Sequence, residues 1–358
     1  MKQLSLYFML IIALSLALVG CNQQAQDETT ELTEDKLTIY TTIYPLEFFA
    51  SQIGGNHVEV ENIVPPGADG HTYEPTAKTM VKIAEADAFI YSGSGIEGFA
   101  DAIKDAMKNE DVRMVEAAHD IELIAHGVEE EKGHDDHAAH EEEEAHDDHA
   151  EHEEEAHDDH AEHEEEETHD DHAEHADEEA HDHGNLDPHV WLDPLLAIQL
   201  SENILNVLVE LKPESKDEFQ KNFDQLKVEL EKLNQEFTEA ITQSTKKEIL
   251  VAHAAYGYWE ARYGIEQISV SGLSPTNEPS QQELTNIIET AKEHDINYVL
   301  FEQNVSTKIA DIVKKEIKAE ALTLHNLETL TENDLTANED YFTMMRKNLE
   351  TLKTALNN

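Results

Sequence analysis

Three isolated histidines are the residues of this chain whose type and position most clearly suggest chemistry. His71 lies in the Gly/Pro-rich stretch PPGADGHTYEP, and His189 lies in DPHVWLDP. His253 follows the apolar residues 249–251, which places it at the carboxyl end of a predicted strand. Neutral imidazole is a good ligand for zinc and related metals. One such histidine alone is more commonly structural, but three at loop or strand-end positions beside a histidine-rich tract indicate a metal site.

A tract of acidic and histidine residues precedes His189 and repeats the pattern HDDHAEHEEE with small variations. It contains almost no apolar residues, so we expect it to be disordered without metal and to collect metal ions at many weak sites. The alternative is a solvated acidic spacer with incidental histidines. Because Ni²⁺ and Cu²⁺ would also bind, the tract indicates transition metals in general more strongly than zinc. Its fourteen histidines, of 22 in the chain, are His134, His137, His140, His146, His149, His152, His157, His160, His163, His169, His172, His175, His181 and His183.

Charge and cysteine content narrow the possible partners and ligands. The formal net charge is −55, and residues 129–183 contribute about half of it with 29 acidic residues and one basic residue. Nucleic acid is therefore not an expected partner, since its phosphates would be repelled. Cys21 is the only cysteine, so the chain can form neither an internal disulfide nor a metal site built from thiolates. Any zinc must be bound by histidine, aspartate or glutamate.

The N-terminal residues predict export and lipid anchoring. Lys2 precedes an apolar run over 4–19, which is short for a membrane span of roughly 20 residues and suits a signal peptide. The run ends at Leu-Val-Gly-Cys, so we expect cleavage after residues 1–20 and lipidation of Cys21. An ordinary signal peptide with an incidental cysteine and an uncleaved anchor are the alternatives. Residues 21–36 then predict a flexible tether on the extracytoplasmic face of the cell membrane.

Strand-like and helix-like patterns alternate along the rest of the chain, which predicts an α/β fold with mostly parallel sheets and flanking helices. The alternation occurs twice and so indicates two lobes. Predicted strands of the first lobe cover 37–43, 58–64, 86–92 and 112–115, and those of the second cover 248–252, 267–270, 298–301 and 321–324. Predicted helices cover 96–108, 194–211, 255–263, 280–294, 306–317 and 338–356.

One long amphipathic helix is predicted between the two α/β regions. Apolar residues over 214–242 recur at spacings of three and four with charges between them, over about 29 residues or roughly 43 Å. We interpret this helix as a strut that packs along both lobes, and coiled-coil dimerisation is the alternative. The expected domains are a first lobe over 37–212 with the tract at 129–184, a linking helix over 213–245, and a second lobe over 246–358. Ligands of such folds bind at the carboxyl ends of strands and in the cleft between lobes.

Four stretches give the chain a specific resemblance to a known family: PPGADGHTYEPTA, NLDPHVWLDP, ILVAHAAYGYWEARYGI and LHNLETLTENDL. Residues 37–358 resemble the metal-binding class of ABC-transporter substrate-binding proteins. They resemble its zinc-uptake branch in particular, in which an acidic histidine-rich loop typically precedes the second stretch. The resemblance implies two α/β lobes joined by one rigid helix. The resemblance also implies four ligands of Zn²⁺. They are His71 and His189 from the first lobe, and His253 and Glu328 from the second.

The fourth ligand and the identity of the metal leave alternatives open. Water or Glu302, which follows a predicted strand, could take the place of Glu328. The manganese branch of the family tends to have carboxylates at the third and fourth ligand positions, so His253 at the third position favours zinc. A manganese- or iron-binding homologue is the alternative within the family. From another class, the chain could be a surface zinc reservoir or an adhesin that works without a transporter.

The sequence contains no HExxH, so the helix motif of zinc peptidases is absent from it. Three imidazoles and one carboxylate complete a tetrahedral shell and leave no position for an activated water. We therefore expect no enzyme, and a zinc hydrolase is the disfavoured alternative. The resemblance implies instead that a monomeric chain delivers zinc to a permease with its cytoplasmic ATPase. The long helix predicts modest lobe motion rather than wide hinge closure.

Residues beside the ligands have predicted secondary roles. Asp187 or Asp193 could orient His189 by accepting its other ring N–H, although the two Asp-Pro pairs serve equally well as turn and helix-start signals. Four aromatic residues near the motifs are candidates for the walls of the cleft, although core packing is the better interpretation of Trp259. They are Tyr73, Trp191, Tyr256 and Trp259.

Overall fold

The computed structural model describes residues 36–126, 186–303 and 308–358. The predicted signal peptide, the lipidation site Cys21, nearly all of the predicted tether and the histidine tract lie outside these residues. Within them the chain forms two α/β lobes, each built on one four-stranded sheet, which confirms the fold that the alternating pattern predicts.

The sheet of the first lobe contains β1 (Leu37–Thr41), β2 (Val58–Asn62), β3 (Ala88–Tyr91) and β4 (Arg113–Glu116). All neighbouring strands pair in parallel, in the order β2-β1-β3-β4. The inner strand β3 is buried along its whole length because its alternate side chains enter two different hydrophobic clusters. The edge strand β2 instead alternates apolar and acidic residues. Since the strands are parallel, their carboxyl ends share one edge, where α/β sheets bind ligands.

Three helices belong to this lobe: α1 (Tyr44–Gly54), α2 (Ala77–Ala84) and α3 (Ala100–Met107). The sequence pattern does not predict α1, because Pro45 suggests the end of a strand. In the structure Pro45 lies in the first turn of α1, where a missing N–H costs no helical hydrogen bond. The helix α2 is also absent from the prediction, and α3 begins later than predicted.

Two long helices follow, α4 (Pro194–Leu211) and α5 (Lys216–Thr242), and the 27 residues of α5 extend about 40 Å. Near its start α5 packs against α1 and α4, and further along it packs against helices of the second lobe. The predicted linking helix is confirmed, although a short turn of 3-10 helix replaces its first residues. The buried residues of α5 are those that the periodicity identifies: Phe219, Phe223, Leu226, Leu230, Leu233, Phe237 and Ile241.

The apolar sides of α4 and α5 are used inside the chain. The face of α5 that the periodicity identifies lies in the main hydrophobic core, so that face is not available for a coiled coil. On length and composition alone, α4 could also cross a membrane. Eight of its residues are nevertheless buried, most of them in the same core as α5, so α4 is a core helix of this fold.

The sheet of the second lobe contains β5 (Glu248–His253), β6 (Glu266–Ser271), β7 (Tyr298–Phe301) and β8 (Glu320–Thr323). Its parallel order, β6-β5-β7-β8, repeats that of the first lobe, because in each sheet the first strand lies between the second and the third. His253 is the last residue of β5. Its side chain therefore lies at the carboxyl end of an inner strand, as the sequence predicts.

The helices of this lobe are α6 (Gly257–Tyr263), α7 (Gln281–Glu293), α8 (Lys308–Ile317), α9 (Glu332–Ala337) and α10 (Tyr341–Leu356). The helix α7 begins with a capping box between Ser280 and Glu283. The short helix α9 is not predicted by the sequence pattern. The last helix, α10, packs against α5 and contributes to the main core.

One hydrophobic core extends through both lobes. It contains residues of β1 and β3 from the first sheet, of β5 and β7 from the second, and of the long helices between them. Protein interiors are close-packed, so a wide separation of the lobes would break contacts throughout this core. This is a physical reason for the modest lobe motion expected from the sequence, which stays a prediction.

We expect Leu230→Ala to lower the free energy of unfolding by about 2–5 kcal/mol, because Leu230 is fully buried on α5 in the core shared by both lobes. Val228→Ala is the matched control. Val228 lies on the same helix but is 59% exposed, so its truncation should change stability by less than about 0.5 kcal/mol. Urea unfolding followed by circular dichroism measures both variants. Equal losses would contradict the assignment of the buried face.

Candidate metal centre

Four side chains from distant parts of the chain meet where the two lobes adjoin. His71 lies on the loop between β2 and α2, and His189 immediately precedes a short 3-10 turn before α4. His253 ends β5, and Glu328 lies between β8 and α9. One possible ligand atom of each residue lies within 4.8 Å of those of the other three. The structure therefore brings together the four residues that the family resemblance implies.

The spacing of these atoms matches the coordination shell of a small tetrahedral ion. His189 Nε2 lies 3.3 Å from His71 Nε2, 3.4 Å from His253 Nε2 and 3.5 Å from Glu328 Oε1. His71 Nε2 and Glu328 Oε1 are 3.3 Å apart. Bonds of about 2.0–2.2 Å from a tetrahedral Zn²⁺ place neighbouring ligand atoms roughly 3.3–3.6 Å apart. Four of the six distances between the ligand atoms fall in this range, and all four atoms lie within 4.8 Å of one another, so the arrangement is close to the one that such an ion requires.

Burial and charge both favour a cation at this point. The side chains of His189 and His253 are fully buried, whereas that of His71 is 9% exposed. Burial by itself would raise the pKa of Glu328, but interactions with His189 and His71 outweigh it and hold that pKa well below its ordinary value. Burial would likewise lower the pKa of His189, yet Asp187 and Glu328 raise it to about 9. The group therefore stabilises positive charge, whether a proton or a metal ion.

Asp187 orients His189. Its Oδ1 accepts a hydrogen bond from His189 Nδ1 at 2.8 Å and another from the backbone N–H of His189 at 2.9 Å. With its proton on Nδ1, the ring presents the lone pair of Nε2 to the other three ligand atoms. The other candidate for this role, Asp193, caps α4 with Oδ1 and accepts a hydrogen bond from Arg262 Nε with Oδ2, at 2.7 Å.

Glu302 lies behind His253 rather than in the group of four. Its Oε1 is 2.5 Å from His253 Nδ1, the ring nitrogen that is not directed at His189, although the two atoms are not aligned as a regular hydrogen bond. Its Oε2 accepts a hydrogen bond from Asn326 Nδ2 at 3.0 Å. The structure thus places this alternative fourth ligand where it can orient His253, much as Asp187 orients His189.

Sequence reasoning misses the polar residues that precede Glu328. Asn326 Nδ2 donates to Glu328 Oε1 and to Glu302 Oε2, both at 3.0 Å. His325 is buried, and its Nδ1 accepts the backbone N–H of Leu327 at 2.8 Å. A signal for these residues is available in LHNLETL, where polar side chains follow directly on a predicted strand.

The aromatic residues proposed as walls of the cleft have different positions. The Trp191 ring lies 5.4 Å from that of His189, so it borders the site. Tyr256 and Trp259 are fully buried and pack against each other with ring centres 4.8 Å apart, which agrees with core packing for the latter. Tyr73 packs against a smaller hydrophobic cluster of the first lobe.

Comparison with known proteins identifies the family. The family model described as zinc-uptake complex component A, periplasmic, matches residues 39–355. The chain belongs to this zinc-uptake component family. Zinc-binding lipoprotein AdcA of Streptococcus pneumoniae is 34% identical over 353 residues, which are 99% of this chain and 61% of that relative, so the chain spans about three fifths of its length. High-affinity zinc uptake system protein ZnuA of Bacillus subtilis is 31% identical over 346 residues, covering 97% of this chain and 96% of the relative.

Solved structures of zinc-uptake components and related proteins have the same two-lobed fold. The Zn(II)-bound ZnuA-like domain of Streptococcus pneumoniae AdcA matches with a TM-score of 0.66 at 31% identity, covering 90% of this chain and 100% of that one. The laminin binding protein Lmb of Streptococcus agalactiae is described as a bifunctional protein with adhesin and metal transporting activity. It matches with a TM-score of 0.69 at 26% identity, covering 89% of this chain and 99% of that one.

We expect Gly257→Ala to weaken zinc binding about 10–100-fold, although Gly257 does not touch the four ligand atoms. An added Cβ would lie 2.4 Å from Asp187 Oδ2 and displace the carboxylate that orients His189. Gly98→Ala is the matched control, because a Cβ at Gly98 meets no atom within 4 Å. Competition with a zinc-chelating dye measures both affinities. Wild-type affinity in Gly257→Ala would show that Asp187 does not control the site.

Proposed function

We propose that this chain is the extracytoplasmic zinc-binding component of an ABC-type uptake system, which captures Zn²⁺ and delivers it to a membrane permease with a cytoplasmic ATPase. The observation that carries the proposal is the group of three imidazole nitrogens and one carboxylate oxygen enclosed between two lobes. The proposed zinc ligands are His71, His189, His253 and Glu328. Membership of the zinc-uptake component family and the names of AdcA and ZnuA support zinc as the substrate.

The donor set favours zinc over manganese or iron. Imidazole suits Zn²⁺, whereas carboxylate, carbonyl and water oxygens suit Mn²⁺. The third imidazole, His253, is held between the ligand group and Glu302, so its Nε2 is directed at the ion rather than at solvent. Four of the six distances between the ligand atoms are 3.3–3.5 Å, which also suits a four-coordinate shell.

We propose binding without catalysis. A hydrolytic zinc site retains one open position for an activated water, whereas four protein ligands fill a tetrahedral shell. His189 and His253 are also fully buried, so these two proposed ligands are closed off from solvent. This arrangement suits capture and transfer of the ion.

We also propose that the chain acts as a lipid-anchored monomer on the outer face of the cell membrane. The Leu-Val-Gly-Cys sequence that ends at Cys21 and the lipoprotein name of the pneumococcal relative support the anchor. The histidine tract would raise the local zinc concentration. Docking on the permease would then shift a loop or lobe and remove ligands, with His71 on its loop as the most accessible one.

Replacement of each proposed ligand tests the function. Each variant should lower the affinity of the single tight zinc site more than about 100-fold, a larger loss than removal of an orienting partner causes. His294→Ala is the control, because His294 is 38% exposed and lies outside the group of four. Calorimetry with purified protein measures affinity and stoichiometry, and added Mn²⁺ should not displace the zinc. The ligand variants are His71→Ala, His189→Ala, His253→Ala and Glu328→Gln.

Wild-type affinity in several of these variants would contradict the proposed site. Equal competition by Mn²⁺ would instead favour a manganese-binding homologue. His294→Ala should retain wild-type binding, because the His294 ring contacts Glu248 at the opposite end of β5 from His253.

Deletion of residues 133–183 separates zinc uptake from a surface reservoir. If the chain delivers zinc to a transporter, the tight site survives the deletion, and growth in chelated medium is only partly impaired. If the chain is a reservoir, stoichiometric binding collapses with the tract. The measurements are the zinc content of the purified variant and growth of a strain that carries it, with the intact chain as the control.

A further inference from the structure

The segment that carries Glu328 has an unusual backbone. Leu327 has a φ of +64°, in the left-handed region that residues with a Cβ rarely adopt. Its side chain is fully buried, so the chain keeps this conformation inside the core rather than in a free loop. Such a conformation is strained and persists only when its surroundings hold it. The groups that hold Leu327 therefore also determine where the next residue, Glu328, lies.

Two side chains cap this turn. His325 Nδ1 accepts the backbone N–H of Leu327 at 2.8 Å, and Asn326 Oδ1 accepts that of Glu328 at 3.1 Å. Each bond runs from a side chain to the N–H two residues later, which is the arrangement of an Asx turn. In the first of the two turns, a histidine nitrogen takes the place of the usual Asn or Asp oxygen.

The second lobe holds His325 in place. Its backbone N–H donates to Asn348 Oδ1 on α10 at 2.8 Å, and its carbonyl accepts from Asn348 Nδ2 at 2.7 Å. Its Nε2 lies 3.4 Å from Asp334 Oδ2 on α9. The ring proton therefore lies on Nε2, which leaves Nδ1 free to accept from Leu327. Burial is the largest influence on the pKa of His325 and lowers it, which keeps the ring neutral.

The same segment is bonded to the first lobe. The carbonyl of Glu328 accepts the backbone N–H of Tyr44 at 2.8 Å, at the start of α1. The carbonyl of Leu330 accepts the N–H of Gly67 at 2.9 Å, on the loop that carries His71. Hydrogen bonds to both lobes thus hold this short segment, which carries the carboxylate of Glu328.

We propose that His325 is a positioning residue for the metal centre, which acts by holding the Leu327 peptide so that Glu328 reaches the ion. His325 is outside the group of four ligand atoms, so it acts through Glu328. Without its Nδ1, the buried N–H of Leu327 loses its acceptor, and the native turn becomes less favourable. This inference rests on the proposed zinc-binding function.

A double-mutant cycle in the full chain tests the proposal. His325→Leu fills similar space but removes the acceptor, and should weaken zinc binding about 10–100-fold. His325→Asn is the matched variant, because an asparagine oxygen forms the same bond to the N–H two residues later. It should retain affinity close to that of the wild-type chain. In a Glu328→Gln background, His325→Leu should cause little further loss, since its effect passes through Glu328.

Substitution with Co²⁺ gives a second measurement that a general loss of stability would not change. The visible absorption of four-coordinate Co²⁺ should be altered in the same way by His325→Leu and by Glu328→Gln, and retained in His325→Asn. Additive losses of zinc affinity, or equal impairment of the leucine and asparagine variants, would overturn the proposal.

If His325→Leu does not fold, His325→Asn still decides the question. A folded His325→Asn protein with weakened zinc binding and an altered Co²⁺ spectrum would contradict the proposed role. Wild-type values in His325→Asn, set against the failure of His325→Leu to fold, would support it, because only the asparagine variant restores the acceptor for the N–H of Leu327. A wild-type chain that binds no zinc would instead overturn the proposed function itself. The two failures are therefore distinguishable.

Discussion

Polar groups that are buried between two lobes must find partners, and this constraint governs the rest of the structure. Removing imidazole nitrogens and a carboxylate from water costs free energy unless other groups satisfy them. On their outer sides, Asp187 accepts a hydrogen bond from His189, and the Glu302 carboxylate lies close behind His253. Their inner sides converge on one point, where a cation would satisfy all four. A cation bound there would therefore link the two lobes through these atoms.

The architecture keeps this point in place by repeating one topology. Each lobe is a four-stranded parallel sheet with its first strand inside, and in the second lobe the carboxyl end of that strand carries His253. The helix α5 and the continuous core restrict how far the two sheets can move apart. A metal site built across such a seam can have short, defined distances, because large relative motion would cost buried apolar contacts. Local rearrangement of a loop segment would break fewer of these contacts than separation of the lobes.

The segment after β8 combines this rigidity with local strain. It is the place where Leu327 adopts a left-handed conformation and where hydrogen bonds reach both lobes. A strained peptide held by neighbours on two sides responds to a small displacement of either one. The carboxylate of Glu328 is attached to this peptide, so displacement of the segment would also move this proposed ligand. The strained backbone of Leu327 therefore lies beside a proposed ligand rather than in the sheets.

Much of the fold followed from local pattern, because helices and sheets bury residues at regular intervals. The spacing of Phe219, Leu230 and the other apolar residues of α5 identified its buried face, and the position of His253 followed from the apolar strand before it. The helix α1 was missed because Pro45 has the same local signal at a strand end and in a first helical turn. The choice of Glu328 came from resemblance to a family, since no spacing in the sequence indicates it.

The sequence by itself determined the chemistry that is available: a single cysteine, imidazole and carboxylate ligands, and two α/β regions joined by a long helix. Only the tertiary structure decided that Asp187 rather than Asp193 orients His189, and that Glu302 lies behind His253 instead of among the ligands. It also revealed the left-handed backbone conformation of Leu327, which the leucine residue type does not predict. The local periodicity of apolar residues indicates which side of a helix or strand is buried. Distances between groups far apart in the chain depend on how the two sheets pack together, and no short stretch of residues contains that information.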